Sequence, residues 1–431
     1  MPSSVPRRLL SSRFVKNSGM LFSGSAVSQG IAFVAYLLLS RLFSCEDFAL
    51  YNIFYSYIEV FIILSTCKYE VAIVKADTDA EAGAIARFSM RLNAVVSGVI
   101  LVAAGILALS HSRAVPLPPL LVMLIPFMVF FCGTTRVYSF LFNRYGHFRQ
   151  MAVSEVVTSL SATILKISFG FLAALGQFFH VVGLPLGTVL GKVVGNLYCR
   201  VRAAKLLPQQ KPGASVCLRQ LLRKYRHFPL YAMPREFVSS FSANLPFMWL
   251  GFYFDNVSLG LFSMAVVFTM RPVQMVANVF ERVLYPATKE KIDRRQPIGV
   301  SIRRFLLVLC AVMVPLLGVS FFFAEPIFTF LLGDKWLGCG YYVRCIIPWI
   351  AFLVLANSMA FVPNVFTTQR ADFIFQVVQL CLRAVALWIG ICWADFRLAV
   401  LLFCAVSTVV QSCQLGWYLY QISRYDKQLV I

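Results

Sequence analysis

Residues 228–254 read FPLYAMPREFVSSFSANLPFMWLGFYF, and residues 257–286 read VSLGLFSMAVVFTMRPVQMVANVFERVLYP. Both segments are apolar and long enough to cross a bilayer, whose hydrocarbon core takes about 20 helical residues to span. Arg271 falls near the middle of the second segment. A charge at that depth is costly and is typical of a functional site. This stretch therefore predicts spanning helices that carry charge inside the membrane.

A related pattern occurs near the start of the chain. Residues 48–51, Phe-Ala-Leu-Tyr, align with residues 259–262, Leu-Gly-Leu-Phe, and Glu70 aligns with Glu281 at the same offset. The alignment predicts one six-helix unit used twice, with charges at matching depths. Such a duplication points to transport.

The composition indicates a polytopic membrane protein. Hydrophobic residues make up 59% of the 431 positions and charged residues 13%, whereas a soluble domain averages about 25% charged residues. Residues 1–17 are polar and basic, without a cleavable signal pattern, and the long apolar run after them is predicted to be the first spanning helix. The net charge of +21 fits cytoplasmic loops rich in Lys and Arg, so we expect no nucleic-acid partner.

The chain is predicted to be all-α, with about twelve transmembrane helices. The predicted spans are residues 18–40, 48–66, 86–109, 117–142, 151–173, 178–199, 230–254, 257–282, 305–323, 341–361, 374–392 and 397–420. They define an N-terminal six-helix lobe (1–205), a basic cytoplasmic linker (206–229) and a C-terminal six-helix lobe (230–431). Because six is even, both lobes run in the same sense across the membrane, as two parallel repeats.

The charge distribution sets a predicted orientation. With both termini in the cytoplasm, most of the 39 Lys and Arg lie on the inner side, as the positive-inside rule requires. The cations then left outside are Arg41, Arg113, Lys335, Arg344 and Arg397.

Three further patterns concern a basic segment, a row of glycines and the cysteines. Residues 217–228, CLRQLLRKYRHF, fit either a basic amphipathic helix on the anionic inner leaflet or a plain cytoplasmic linker. Glycines at 183, 187, 191 and 195 predict close helix packing within one lobe. The 12 cysteines show no zinc spacing, and we expect neither a metal nor a cofactor.

Four stretches carry a family resemblance. They are SRLFSCEDFALYNIF from Ser40, CKYEVAIVKADTDAEA from Cys67, FPLYAMP with SANLPFMWLG from Phe228, and LGDKWLGCGYYVRCIIPWIAF from Leu332. In order and spacing they resemble the bacterial O-antigen and polysaccharide flippases, the Wzx-type transporters of the multidrug/oligosaccharidyl-lipid/polysaccharide exporter superfamily.

The resemblance implies a fold and a task. The fold is two six-helix lobes around a central cationic cavity in the bacterial inner membrane. The task is to move undecaprenyl-diphosphate-linked oligosaccharide, a repeat unit of O-antigen, capsule or exopolysaccharide, from the inner to the outer leaflet by alternating access. The implied partners are that lipid-linked oligosaccharide, membrane lipids, H+ or Na+ as a coupling ion, and the polysaccharide polymerase machinery.

Cations inside the predicted helices are the candidate substrate-binding residues, because the planar fork of Arg suits a diphosphate. Three lie deep in their helices: Lys166, Arg271 and Arg383. Three others lie nearer the cytoplasmic ends, where snorkelling to the interface is the alternative interpretation: Arg136, Lys192 and Arg235.

Acidic residues are the candidates for ion coupling or gating. Glu59 lies deep in the second predicted span, and three roles stay open for it: ion-pair partner, coupling site or locally satisfied acid. Glu70 and Glu281 recur at matching repeat positions at the inner membrane edge, where they are candidates to form ion pairs that close an inner gate; repeat ancestry alone is the alternative explanation of the match.

Two other functions are weighed against the flippase. A multidrug or small-cation antiporter should have an acidic cavity, yet the deep cations here outnumber the deep anions. A membrane enzyme needs a catalytic constellation, and no nucleophile–base pair can be argued from the sequence. We therefore expect a transporter with no catalytic residue and no enzymatic activity.

Overall fold

The computed structural model describes residues 7–110, 115–173, 176–206, 217–366 and 368–430. Within these ranges side chains are described except at residues 7–23, 25, 271, 274–287, 289, 293, 364, 369 and 430. All regular structure in the described ranges is helical. The chain divides into two compact units, Met1–Phe237 (unit 1) and Val238–Ile431 (unit 2).

Unit 1 contains six long helices and two short ones. In chain order they are α1 (Arg7–Leu42), α2 (Cys45–Thr66), α3 (Ala72–Lys75), α4 (Asp79–Leu109), α5 (Pro119–Arg144), α6 (Phe148–Ala173), α7 (Gln177–Leu206) and α8 (Leu218–Lys224). A 3-10 turn at Tyr69–Val71 links α2 to α3, and a π-turn at Phe228–Ala232 precedes the next helix.

Unit 2 holds most of α9 and all of the helices after it. They are α9 (Met233–Tyr253), α10 (Asn256–Asp293), α11 (Gly299–Phe322), α12 (Ala324–Leu332), α13 (Cys339–Ser358), α14 (Val362–Val365), α15 (Gln369–Cys392) and α16 (Phe396–Val430). A 3-10 turn at Asp334–Trp336 joins α12 to α13. Here α13 packs against α10 and α16, and α15 packs against α16.

The all-helical prediction is confirmed. Each predicted span falls on one of the long helices, and within the described residues nine helices are long and apolar enough to cross a membrane. Shorter apolar stretches, Ala26–Leu42 and Asn256–Met270, lie on α1 and α10. The protein is a multi-pass membrane protein. The predicted lobe boundaries at 205 and 230 stay predictions.

The side chains of α4 show how the units suit a membrane. Ser89, Asn93 and Ser97 are buried, whereas Val95 and Val99 on the same helix are more than 60% exposed. Asn93 donates from Nδ2 to the carbonyl oxygen of Phe130 on α5 at 2.8 Å. The Asn93 amide thus pairs with a neighbouring helix, and apolar side chains face outward, because lipid cannot hydrogen-bond with polar groups.

The glycine row of α7 holds that helix close to α6. A Cβ added at Gly191 would lie 2.6 Å from the Ala162 backbone, and one added at Gly187 would lie 2.7 Å from the Lys166 side chain. Gly195 meets Thr158 in the same way. The absence of side chains at these positions lets the two backbones approach, as the spacing predicts.

Candidate functional site

Among the predicted cations whose side chains the structure describes, Arg383, on α15 in unit 2, is the most deeply enclosed. Its side chain is 3% exposed. The guanidinium donates from Nε to Ser407 Oγ at 2.8 Å and from Nη1 to Ser242 Oγ at 3.1 Å. It also lies over two rings, 5.0 Å from the centroid of Trp349 and 4.7 Å from that of Phe403.

This arrangement satisfies the cation with neutral groups. Hydroxyls and ring faces neutralise no charge, and no carboxylate of the described residues lies within ion-pair distance of Arg383. The elements that position it are α9, α13 and α16, which contribute Ser242, Trp349 and Ser407. The result is a buried positive charge whose described partners are hydroxyls and aromatic rings.

Arg383 is one end of a polar seam between α15 and α16. Below it Gln411 Nε2 lies 3.5 Å from Gln379 Oε1. Further along, Asp372 Oδ1 accepts from Gln414 Nε2 at 3.0 Å and from the Tyr418 hydroxyl at 2.8 Å. This seam was not predicted from the sequence. Its signal is the spacing of Asp372, Gln379 and Arg383, and of their partners on α16, which places each set on one helix face.

In unit 1 the predicted gate residue Glu70 is completely buried. Its side chain is 0% exposed, and neither carboxylate oxygen has a hydrogen-bond partner in the described part of the chain. The nearest counter-charge is Arg136 on α5, whose Nη1 lies 3.7 Å from Glu70 Oε1. A buried carboxylate without donors is costly, so this pair joins the turn after α2 to α5 through charge alone.

The turn that carries Glu70 has unusual backbone geometry. Cys67 and Lys68 have φ values of 47° and 63°, in the left-handed region that non-glycine residues enter at a cost of roughly 1–2 kcal/mol each. Lys68 also forms an ion pair with Glu236. Charges on both sides of Tyr69 therefore fix a strained turn at one end of α2.

Three predicted residues share one neighbourhood on α2, α5 and α7. Glu59, Arg136 and Lys192 all lie close enough to the Cys132 thiol to act on it electrostatically. Glu59 is exposed, whereas Arg136 and Lys192 are half-buried. Unit 1 thus brings one predicted coupling acid and two predicted substrate-binding cations together.

Lys166 belongs to a separate cluster in unit 1. Its Nζ donates to the Tyr51 hydroxyl at 3.1 Å and lies 4.7 Å from the centre of that ring. The Thr188 hydroxyl lies 3.2 Å from the same Tyr51 oxygen. These contacts tie α6, α2 and α7 together and leave Lys166 half-buried.

The remaining predicted residues are placed less fully. Arg235 lies half-buried in the first turn of α9. Arg271 and Glu281 belong to α10, but their side chains lie outside the described residues, so no contact is assigned to them.

The basic segment at residues 217–228 packs onto protein. Its buried residues Leu221, Tyr225 and Phe228 join a cluster that includes Ile73 of α3 and Leu141 of α5. This contact was absent from both interpretations of the sequence, which placed the segment on lipid or in a free linker.

Ion pairs connect the same segment to the residues just before α4 and to the first turn of α4. Lys224 Nζ donates to Asp77 Oδ2 at 2.7 Å and to Glu81 Oε2 at 3.0 Å. These hydrogen bonds raise the pKa of the Lys224 ammonium above its ordinary value, so the contact stays charged at physiological pH. Arg144 holds the stretch between α2 and α4 from α5, donating to the carbonyl oxygens of Ile73 and Ala76 at 3.0 and 2.7 Å.

Comparison with known proteins identifies the family. The sequence profile of one family, described as polysaccharide biosynthesis protein, matches residues 38–340. The chain belongs to this family. A curated relative, an uncharacterized membrane protein in the cps region of Klebsiella pneumoniae, is 20% identical over 215 residues, or 46% of this chain and 42% of that protein. The chain therefore matches less than half the length of that relative.

Solved structures show the fold that this polysaccharide biosynthesis family member shares. A lipid II flippase, MurJ, in an inward closed conformation has a TM-score of 0.71 at 13% identity, over 95% of this chain and 90% of that one. An inward-facing multidrug resistance MATE transporter of the MOP superfamily scores 0.65 at 16% identity, over 93% and 96%. A MOP transporter from Pyrococcus furiosus scores 0.64 at 14% identity, over 99% of both chains. The predicted resemblance to this superfamily is confirmed.

Proposed function

We propose that this protein is a flippase that moves undecaprenyl-diphosphate-linked oligosaccharide from the cytoplasmic to the outer leaflet of the bacterial inner membrane. The proposal includes two parallel lobes around a central cavity, alternating access, cytoplasmic termini and no enzymatic activity. Membership of the polysaccharide biosynthesis family and the flippase fold support it. The polysaccharide polymerase machinery is the partner that would consume the product.

The main support for this substrate class is the buried, carboxylate-free environment of Arg383 among the described residues. A diphosphate cannot enter hydrocarbon without a cation, and Arg can give each phosphate two parallel hydrogen bonds. The serine oxygens that Arg383 now contacts are weaker acceptors than phosphate oxygens, so an arriving diphosphate would displace them without breaking an ion pair. A site for cationic drugs needs the opposite charge, which makes a multidrug antiporter the less favoured function.

Access to Arg383 has to change during the cycle. In this conformation the guanidinium is closed off from solvent at 3% exposure. Binding of a phosphate therefore requires a second conformation in which α9 or α13 separates from α15. The other proposed substrate-binding residues, Arg136, Lys166, Lys192, Arg235 and Arg271, would extend the cationic path.

Coupling is assigned to the acids of unit 1. Glu70 is buried opposite Arg136 with no hydrogen-bond donor among the described residues, so a proton or a sodium ion that reaches it would stabilise it. Glu59, close to Arg136 and Lys192 through Cys132, is the second candidate. Glu281 is retained as the repeat equivalent of Glu70.

The experiment uses purified protein in sealed vesicles with the lipid-linked oligosaccharide in one leaflet. A membrane-impermeant reagent that modifies the glycan reports how much has crossed, first without a gradient and then with an imposed H+ or Na+ gradient. Crossing that depends on the protein supports the proposal, and acceleration by one gradient that is lost in Glu70→Gln supports the coupling role. Export of a cationic dye, with no movement of the lipid-linked glycan, would instead establish the antiporter.

A further inference from the structure

Unit 2 contains a surface groove that the proposed transport does not use. It lies between α11 and α16 and has a volume of about 880 Å³. Its apolar walls are Ile302, Leu306, Leu307 and Cys310 from α11, and Leu419 and Ile422 from α16. Ile302, Leu306 and Cys310 follow one another at a spacing of four on α11, and Leu419 and Ile422 are three apart on α16, so each helix turns an apolar face towards the groove.

Two cations line the charged end of the groove. Arg303 and Lys427 are exposed, and neither has an ion-pair partner among the described residues. The lining also contains Asp426, but its carboxylate is already engaged, because Oδ1 accepts from the backbone N–H of Ile298 and Oδ2 from that of Gly299, both at 2.8 Å. Asp426 thus caps the start of α11 and leaves both cations available for an anion.

The groove is one leaflet deep. The helix rises 1.5 Å per residue, so Gly299 and Cys310 are about 16 Å apart along α11, which is about half of the ~30 Å hydrocarbon core. The cationic end is the end that the positive-inside rule places in the cytoplasm. Leu307 is 68% exposed, and an apolar wall at that depth contacts lipid chains.

We propose that this groove binds one anionic phospholipid of the cytoplasmic leaflet. Its phosphate would lie between Arg303 and Lys427, and one acyl chain would run along the apolar walls to the middle of the membrane. The match between a leaflet-deep groove and an acyl chain favours a membrane phospholipid as the occupant. The binding is independent of transport, since none of the groove residues belongs to the proposed substrate path.

The test is photolabelling of the full-length protein in detergent micelles. The probe is phosphatidylglycerol with a photoactivatable group in one acyl chain, compared with the matching phosphatidylcholine, and mass spectrometry locates the labelled peptides. We expect phosphatidylglycerol to label residues 299–310 and 419–427. In the double variant Arg303→Ala/Lys427→Ala, half-saturation should require about thirtyfold more lipid, from the loss of two cation–lipid contacts.

The chain offers matched controls for this experiment. Arg304 and Arg424 are exposed cations on the same two helices that do not line the groove, so Arg304→Ala/Arg424→Ala should label as the unaltered protein does. Leu306→Trp should block labelling by filling the groove while both cations remain. Thermal denaturation of each variant shows whether it is folded. If Arg303→Ala/Lys427→Ala is not folded, labelling of Leu306→Trp takes its place in the test.

Several results would overturn the proposal. Equal labelling by phosphatidylcholine, or equal loss in the two double variants, would show that Arg303 and Lys427 recognise no headgroup. Displacement by undecaprenyl diphosphate at lower concentration than by phosphatidylglycerol would assign the groove to the transported lipid. Cross-links from groove residues to a second copy of the chain would make it an interface between subunits.

Discussion

Replacing Arg383 with methionine tests whether this guanidinium serves the substrate or the packing of unit 2. Methionine keeps a long side chain and removes the charge. If Arg383 is present for packing, the variant should lose stability and transport together. If it is present for the diphosphate, the variant should stay folded and stop transporting.

The contacts of Arg383 set the expected change in stability. Two hydrogen bonds from a charged donor contribute about 3–6 kcal/mol, and two ring contacts about 2 kcal/mol. Burying the cation costs about 3 kcal/mol, and burying methionine returns about 1.5–3 kcal/mol. The expected change in stability therefore lies between a gain of about 1 kcal/mol and a loss of about 3.5 kcal/mol.

The expected change in transport is larger. A phosphate bound by two charge-assisted hydrogen bonds loses roughly 3 kcal/mol or more when they are removed, which corresponds to about a 100-fold lower rate. Arg383→Lys keeps the charge without the planar fork, so its transport rate should fall between those of the unaltered protein and Arg383→Met. Transport is measured in the vesicle assay, and folding by thermal denaturation in detergent.

A matched control is available at Arg344 on α13. This arginine is exposed and donates from Nε to the carbonyl oxygen of Phe321, so Arg344→Met removes a guanidinium without touching the interior. It should transport normally. An Arg383→Met variant that transports at the same rate as Arg344→Met would refute the assignment, and so would one that unfolds while Arg383→Lys is fully active.

Three further predictions concern packing. Arg136→Met should destabilise the protein by about 3 kcal/mol, because Glu70 is left as a buried charge. Adding Glu70→Gln to this variant should restore part of the lost stability, as measured by thermal denaturation. No restoration would show that the two residues are not coupled. Gly191→Ala should cost about 1–3 kcal/mol, since its Cβ would overlap the Ala162 backbone. In Gly98→Ala the new methyl group meets open space, so the midpoint of thermal denaturation should stay unchanged or rise. An equal loss of stability in Gly98→Ala and Gly191→Ala would contradict the close approach of α6 and α7. Tyr225→Ala should release α8 and accelerate its amide hydrogen exchange about 100-fold. Arg226→Ala, at an exposed position, should leave exchange unaltered. Equal exchange in the two variants would show that the packing of Tyr225 does not hold the segment.

Helices were predictable from this sequence because apolar length alone determines a membrane span. The segments at 48–66 and 374–392 coincide with α2 and α15 within a few residues. The extensions were not predictable, because polar residues continue a helix beyond the hydrocarbon. For example, α16 runs on to Val430, well past the predicted end at 420.

The sequence was enough to predict the charged residue of the candidate site, but not the side chains that surround it. A lone Arg383 in an apolar helix is conspicuous, but the serines and rings around it come from three other helices. Serine and phenylalanine are ordinary residues in spanning helices, so nothing in the sequence distinguishes Ser242 or Phe403 from their neighbours. The docking of residues 217–228 was missed for a similar reason, since a basic amphipathic segment suits lipid and protein equally well.

The Glu70–Arg136 pair of unit 1 and Arg383 of unit 2 have different kinds of partner, and the difference bears on mechanism. In unit 1, Arg136 and Lys68 face the carboxylates of Glu70 and Glu236, and parting such pairs exposes two charges at once. In unit 2, the partners of Arg383 among the described residues are hydroxyls and rings, and an anion would replace these without separating opposite charges. Ion pairs therefore suit elements that must be either closed or open. An environment of neutral hydroxyls and rings suits a cation that must exchange its ligand. We infer that the Glu70–Arg136 pair contributes the switch and Arg383 the phosphate contact. Glu70→Gln should then alter coupling to the gradient, while Arg383→Met should alter movement of the lipid itself.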